Sequence, residues 1–167
     1  AFTVPIAEGT NWVMKTKGDS SIMSPDDLSG KVVCTQLASG AEKASQEWEK
    51  DMKSRGLEGF KELKLFTAHP EATLAVANGT CDAQTQPLPN LAVVAKNQEG
   101  VFELVGPISG KAYMGWVTRP EDTDLRDYLS SKILEMRDNG SIDELQDKWF
   151  GIKLPIPSDG YLPEGAL

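Results

Sequence analysis

Few side chains in this sequence have the chemistry of a catalytic or metal site. His69 is the only histidine of the 167 residues, and the two cysteines, Cys34 and Cys81, do not form a CxxC pair. A zinc site takes about four ligands, so we expect neither a metal nor a cofactor. A nucleophile beside a base, or paired carboxylates at strand ends, would indicate an enzyme, and neither pattern is present. These residues favour a protein that binds a molecule without transforming it.

Two polar side chains stand where a ligand could be held. His69 precedes Pro70 at a predicted helix start, and Gln86 ends a predicted strand. In open α/β sheets, ligands bind at the carboxyl ends of the strands, and an amide can both donate and accept hydrogen bonds. Each residue also has a simpler interpretation, because His69 can be a solvated loop residue and Gln86 can satisfy local backbone groups.

The balance of charge narrows the class of partner. Lys and Arg number 17 and Asp and Glu number 25, which gives a net charge of −8. An acidic surface is unsuited to general binding of nucleic acid and to docking on anionic lipid. No apolar run approaches the roughly 20 residues that a membrane span needs. The net charge says nothing directly about a small ligand, because a local site can differ in sign from the whole surface.

Strand and helix patterns alternate over most of the chain. Apolar and β-branched runs predict strands at 11–17, 31–36, 63–67, 82–86 and 101–105, and helical spacing predicts helices at 39–55, 71–78 and 89–96. This alternation predicts an α/β fold with a mostly parallel sheet flanked by helices.

The pattern changes after Pro107. We expect a strand at 112–117, an amphipathic helix at 123–138 and a last helix from Ser141 to about Trp149. The helix at 123–138 has a broad apolar face, and an exposed apolar face of this kind usually marks an interface.

Three segments of the chain resemble one known family. Residues 71–83, EATLAVANGTCDA, resemble the EAxxAxxxGxxDA stretch of type II periplasmic solute-binding proteins, the amino-acid-binding family of ABC transporters. Residues 28–33, LSGKVV, look like the family's LxGKxV element, and residues 148–151, KWFG, look like the end of its C-terminal helix pair. The segments occur in the family's order, and the resemblance covers roughly residues 3–151.

The resemblance implies a division of the chain. Residues 1–6 would end the first crossover between the family's two lobes, and residues 7–107 would form the second α/β lobe. Residues 108–151 would form the return crossover and the helices of an incomplete first lobe, with an extended tail at 152–167. Because the N-terminal half of the family pattern is absent, we expect a homodimer, with or without exchanged elements, or a second chain that supplies the missing lobe.

The resemblance also implies ligand-binding residues. Ser39, Gly40 and Ala41 stand where the family reads GST, and there the N–H groups of a helix N-terminus bind an anionic ligand group. Ser39 can instead be only a helix cap. Gln86 and Pro87 occupy the place where many members have an aspartate that holds the ligand's ammonium. The ligand is then an amino acid or a derivative of one.

Trp12 is a further candidate contact near the crossover, although packing in the core or hinge is the simpler role for it. The implied function is capture of a small polar solute outside the cytoplasm, by a mature protein without its signal peptide, for the permease of an ABC transporter. An accessory or sensor protein on the same fold, or a periplasmic dehydratase-like enzyme, are the alternatives.

The cysteines are predicted to be unpaired. The family topology places their two strands side by side and parallel, which staggers Cys34 and Cys81 by about three residues, or roughly 10 Å. The Cα atoms of a disulfide lie within about 7 Å of each other. We therefore expect no disulfide, although two cysteines in an exported protein often form one.

Overall fold

The computed structural model describes residues 1–154, 156 and 157. The predicted tail at 152–167 lies mostly outside the described residues. The chain forms two compact units. The larger unit is Thr10–Gly110, and the smaller one combines Ala1–Gly9 with the chain from Lys111 onward.

The elements follow the predicted alternation closely. The strands in chain order are β1 (Ala7–Glu8), β2 (Asn11–Thr16), β3 (Val32–Gln36), β4 (Glu62–Phe66), β5 (Ala83–Pro87), β6 (Phe102–Pro107) and β7 (Tyr113–Met114). The helices are α1 (Gly40–Ser54), α2 (His69–Ala77), α3 (Leu88–Asn97), α4 (Thr123–Asp138) and α5 (Ser141–Phe150), with a short 3-10 helix at Pro25–Leu28. None of the helices in this described part of the chain is long and apolar enough to cross a membrane.

The larger unit is built on a five-stranded sheet with the order β4-β3-β5-β2-β6. Strand β3 runs parallel to β4 and β5, whereas β2 runs antiparallel to both β5 and β6. Four strands therefore point in one direction and β2 in the other, which confirms the predicted α/β fold with a mostly parallel sheet. The ends of β3, β4, β5 and β6 and the start of β2 share one side of the sheet, called here the carboxyl edge.

Helices cover both faces of this sheet. Successive residues of a strand point to opposite faces, so Val13 and Val33 pack with Ala44 and Met52 of α1. Their neighbours Met14 and Cys34 pack on the opposite face in a second core cluster, whose other buried members are Ala72, Ala75, Val76, Cys81, Leu91 and Phe102. The two faces are therefore the α1 face and the α2–α3 face.

Cys34 and Cys81 form a disulfide, so the prediction of unpaired cysteines was wrong. Cys34 pairs with Gln84 across the β3–β5 register, and the expected stagger of three residues is therefore present. The predicted separation of the two cysteines was too long, because Cys81 does not belong to an extended strand. It sits in the turn between α2 and β5, where its N–H donates to Ala75 O at 3.0 Å, and its Cα is 6.1 Å from that of Cys34.

The smaller unit contains the strand pair β1–β7, the bridge Phe2–Val117 and helices α4 and α5. The strand predicted at 112–117 is thus only two residues long, with one isolated bridge beyond it. Its core contains Val4, Ile133 and Ile142. Several large apolar side chains in the described part of this unit are exposed: Met114, Trp116, Val117, Leu125, Tyr128, Leu145 and Trp149.

Removing the disulfide should destabilise the larger unit. The two cysteines are 47 residues apart, and closing a loop of this length contributes about 4 kcal/mol in the chain-entropy model. We expect the C34A/C81A double variant to unfold at a clearly lower urea concentration. Reductant should lower the midpoint of the parent protein and leave that of the variant unchanged. Two titratable thiols in the denatured, untreated protein would contradict the bond.

Candidate functional site

The carboxyl edge brings all the predicted site residues to one end of the larger unit. Trp12 pairs with Gln86, and Asn11 pairs with Pro87, where the start of β2 meets the end of β5. Ser39, Gly40 and Ala41 follow the end of β3 and begin α1, and His69 begins α2 just after β4. All the predicted site residues therefore lie at the carboxyl edge.

The two faces of the sheet divide the residues into two groups. Gln84 points to the α2–α3 face, because its Oε1 accepts from the Thr73 hydroxyl of α2 at 2.8 Å. Gln86, two residues further along the strand, points the same way. Thr85 points to the α1 face, where its hydroxyl lies 2.8 Å from that of Ser45. The structure thus brings His69 and Gln86 together and places Ser39, Gly40 and Ala41 on the opposite face.

The loop that leads into α1 is held tightly. Ser39 Oγ accepts from the N–H of Glu42 at 3.1 Å and donates to Gln36 O at 2.6 Å, so its hydroxyl is a helix cap. Ala38 is the only non-glycine residue with a positive φ in the described part of the chain, at 56°. Its N–H donates to the Glu42 carboxylate at 2.6 Å. Such strained backbone is found preferentially at ligand-binding sites.

The first turn of α1 retains hydrogen-bonding capacity. The first N–H groups of a helix have no acceptor within the helix. The N–H of Glu42 is taken by Ser39, which leaves those of Gly40 and Ala41 for an anionic group. The Glu42 carboxylate already lies at this helix end and also accepts from Gln46 at 3.0 Å, so any bound anion shares the end with a resident negative charge.

Four side chains at the carboxyl edge carry a buried polar atom that has no partner. These atoms are Asn11 Oδ1, Trp12 Nε1, His69 Nδ1 and Gln86 Nε2. Buried polar groups in proteins are nearly always hydrogen-bonded. The unsatisfied atoms therefore mark the edge as a place where a ligand can supply the missing partners.

Trp12 and Pro87 also make structural contacts at the edge. Trp12 packs against the core cluster of the α2–α3 face, which agrees with the simpler interpretation of this residue. Pro87 ends β5 and is followed at once by α3, whose first N–H, that of Leu88, donates to Thr10 O at 2.9 Å. The proline side chain has no ionisable group, so this position carries no charge.

His69 and Gln86 line one pocket of about 480 Å³ between α2 and α3. The other lining residues are Pro70, Thr73, Leu74, Ala77, Asn90, Val93, Val94 and Gln98. Burial lowers the pKa of His69 below its ordinary value of 6.5, so the ring is neutral at pH 7. Thr73 and Asn90 were missed by the sequence analysis, although Thr73 follows His69 by one helical turn and therefore lies on the same face of α2.

The described residues do not provide a metal centre. No group of three or more His, Cys, Asp or Glu side chains within residues 1–154, 156 and 157 is placed to hold a metal ion. Hydrogen-bonding groups at strand ends and helix starts are the chemistry that the edge offers.

Strand ends and a helix N-terminus at one edge of an open sheet are where α/β lobes of this architecture bind their ligands. The model of the bacterial extracellular solute-binding proteins, family 3, matches residues 1–152. The chain belongs to this family, which confirms the predicted resemblance.

Similar proteins bind amino acids, according to their names. An arginine-binding periplasmic protein of Mannheimia haemolytica is 28% identical over 95 residues, which are 54% of this chain and 40% of the relative. A candidate amino-acid ABC transporter-binding protein of Vibrio harveyi, PatH, is 26% identical over 137 residues, 81% of this chain and 52% of the relative. A solved ancestral arginine-binding protein, bound to arginine, is 30% identical with a TM-score of 0.65, and the match covers 90% of this chain and 64% of that one. The chain spans about half the length of these curated relatives.

Replacing Ser39 should remove the N-terminal cap of α1. We expect Ser39→Ala to lower the free energy of unfolding by about 1 kcal/mol, the usual effect of losing a serine cap. Ser54→Ala is the matched control, because this exposed serine near the other end of α1 bonds only to Asp51 O and should cost less than about 0.5 kcal/mol. Urea unfolding followed by circular dichroism measures both. Equal effects of the two substitutions would refute the assigned role of Ser39.

Proposed function

We propose that this protein captures an amino acid or amino-acid derivative outside the cytoplasm and delivers it to the permease of an ABC transporter. The observation that carries the proposal is the carboxyl edge of the larger unit, where the start of α1 and the unsatisfied Asn11 lie on one face. Membership of the solute-binding family and the amino-acid ligands named for its relatives support the same function. The proposed location is the periplasm or another extracytoplasmic compartment, which is supported by the relative named as an arginine-binding periplasmic protein.

The ligand carboxylate would bind at the start of α1. The N–H groups of Gly40 and Ala41 point out of the helix end, and the helix dipole favours a negative group there. The carboxylate of Glu42 reduces this attraction, so backbone hydrogen bonds rather than net charge would hold the ligand. The role of Ser39 is then indirect, since its hydroxyl fixes the turn that presents these N–H groups.

The ligand ammonium would meet Asn11 in place of an aspartate. Asn11 pairs with Pro87 and lies on the α1 face, because Val13, two residues further along β2, packs in the α1 cluster. Asn11 Oδ1 is buried without a partner. An amide oxygen can accept from an ammonium group but does not neutralise it, so a derivative with reduced positive charge is accommodated as readily as a free amino acid.

Substitutions at Gly40 can test whether its N–H group binds the ligand carboxylate. A Cβ at Gly40 meets nothing within 4 Å, and Ser39 before it is extended, with φ −99° and ψ 162°. Proline is therefore tolerated at this first helical position, where it deletes one N–H group. Gly40→Ala keeps the N–H group and serves as the matched control.

We expect amino acids from a panel that includes L-arginine to shift the amide resonances of residues 40 and 41 in NMR titrations. Gly40→Ala should bind as the parent does. Gly40→Pro should bind more weakly by about tenfold or more, the value of a hydrogen bond to a charged group. Equal affinities of the alanine and proline variants would remove the start of α1 from the site. The absence of any response to the whole panel would favour the accessory role instead.

We also propose that a second copy of the chain covers the exposed apolar surface of the smaller unit. Helix α4 buries only Ser130 and Ile133, whereas Leu125 and Tyr128 on the same helix are 50% and 60% exposed. Exposed contiguous apolar surface is typical of an interface, and most soluble homo-oligomers are symmetric dimers.

Light scattering coupled to size exclusion should therefore give a mass of about twice 18.1 kDa. Tyr128→Glu should shift the protein to the monomer, because a charge in a buried interface is costly. Leu74→Glu is the control, since Leu74 is 64% exposed and belongs to the larger unit. A monomeric parent protein would refute the dimer, and so would a dimer that Leu74→Glu disrupts and Tyr128→Glu does not.

A further inference from the structure

The pocket between α2 and α3 is separate from the proposed amino-acid site. It lies on the α2–α3 face of the sheet, whereas Gly40, Ala41 and Asn11 lie on the α1 face. Its volume of about 480 Å³ falls within the range of small-molecule sites, about 300–1,000 Å³. Its walls are largely apolar, with Leu74 on α2 and Val93 on α3.

Gln86 provides a hydrogen-bonding group at the base of this pocket. Only 2% of the residue is exposed, it lines the pocket, and its Nε2 has no partner. Gln84, on the same face of the same strand, provides a contrast. Its Oε1 accepts from Thr73 at 2.8 Å, and its Nε2 donates to His69 O at 3.2 Å. Of these two buried glutamines, Gln84 is satisfied by the protein, whereas the buried Nε2 of Gln86 has no partner.

The other polar groups that line the pocket favour an uncharged ligand. His69 lines the same pocket, and its buried Nδ1 has no partner. Burial lowers the pKa of the His69 ring below its ordinary value, so the ring is neutral at pH 7. None of the ten lining residues is an Asp, Glu, Lys or Arg. A charged ligand would lose its hydration here without gaining a counter-ion. A neutral ligand loses little, and its apolar body would be buried against Leu74 and Val93.

We propose that this pocket is a second binding site, for a small neutral molecule that carries an amide or lactam group on an apolar body. The ligand's carbonyl oxygen accepts from Gln86 Nε2, and its N–H donates to His69 Nδ1. The site rests on the pocket and its two unsatisfied nitrogens, so it does not depend on the proposed amino-acid site.

His69 makes the pocket directly observable, because it is the only histidine in the chain and its ring resonances can be assigned without ambiguity. The probe is ε-caprolactam, and cyclohexanecarboxylate is the charged comparison of similar size. At neutral pH we expect ε-caprolactam to shift the His69 ring resonances saturably. Cyclohexanecarboxylate should not shift them.

The variant Gln86→Leu tests the hydrogen bond. It should weaken ε-caprolactam binding by about tenfold and raise the urea midpoint of the free protein, because it removes a buried amide that has no partner. Gln46→Leu is the matched control, because Gln46 is an exposed residue of α1, and it should change neither lactam affinity nor the urea midpoint. Gly40→Pro should leave lactam binding intact. If Gln86→Leu instead lowers the urea midpoint and no lactam shifts His69, an internal partner already satisfies Gln86 and the proposal is overturned. Unchanged lactam affinity in Gln86→Leu would also overturn it.

Discussion

The pairing of β3 with β5 is the interaction on which the rest of the larger unit depends. It joins the parallel half of the sheet, β4 and β3, to the half that contains β2 and β6. The backbone register between the two strands is short, with Val33 opposite Ala83 and Cys34 opposite Gln84. Side chains extend it, since the Asp82 carboxylate accepts from Val32 N at 2.7 Å and the Thr35 hydroxyl donates to Thr85 O at 2.9 Å. Without this pairing, the start of α1 and the end of β5 would not meet at one edge.

The disulfide strengthens the same junction. Cys34 belongs to β3 and Cys81 to the turn that leads into β5, so the bond links the two strands next to their short register. Its effect is mainly on the unfolded chain, whose conformational freedom it restricts. The proposed binding function requires an edge that stays rigid while individual polar groups there remain unsatisfied. A cross-link placed beneath the edge, rather than in it, meets both requirements.

The sequence predicts the elements well because their signals are local. The strand at 31–36 and the helix at 39–55 are found at Val32–Gln36 and Gly40–Ser54, since β-branched runs and helical spacing act over a few residues. The disulfide could not be predicted, because it depends on whether the residues around Cys81 form strand or turn. The division of the site residues also escaped prediction. Ser39 and Gln86 share an edge, but only the alternation along β5 decides which face each residue serves.

The composition of β5 is unusual for a central strand, and it underlies both proposed sites. Central strands of parallel sheets are usually near-continuous apolar runs, yet Gln84, Thr85 and Gln86 are all buried here, at 0%, 0% and 2% exposure. Gln84 and Thr85 are satisfied by Thr73 and Ser45 from the helices on either face.

Gln86, the next residue on the same face of the strand as Gln84, lines the pocket, and its buried Nε2 has no partner. A buried polar group without a partner costs about 1–3 kcal/mol, which is a large part of the stability of a domain this size. Leucine or valine at this position would remove the cost entirely. A ligand that hydrogen-bonds to Gln86 recovers this free energy on binding, which is the physical reason to expect the pocket to be occupied.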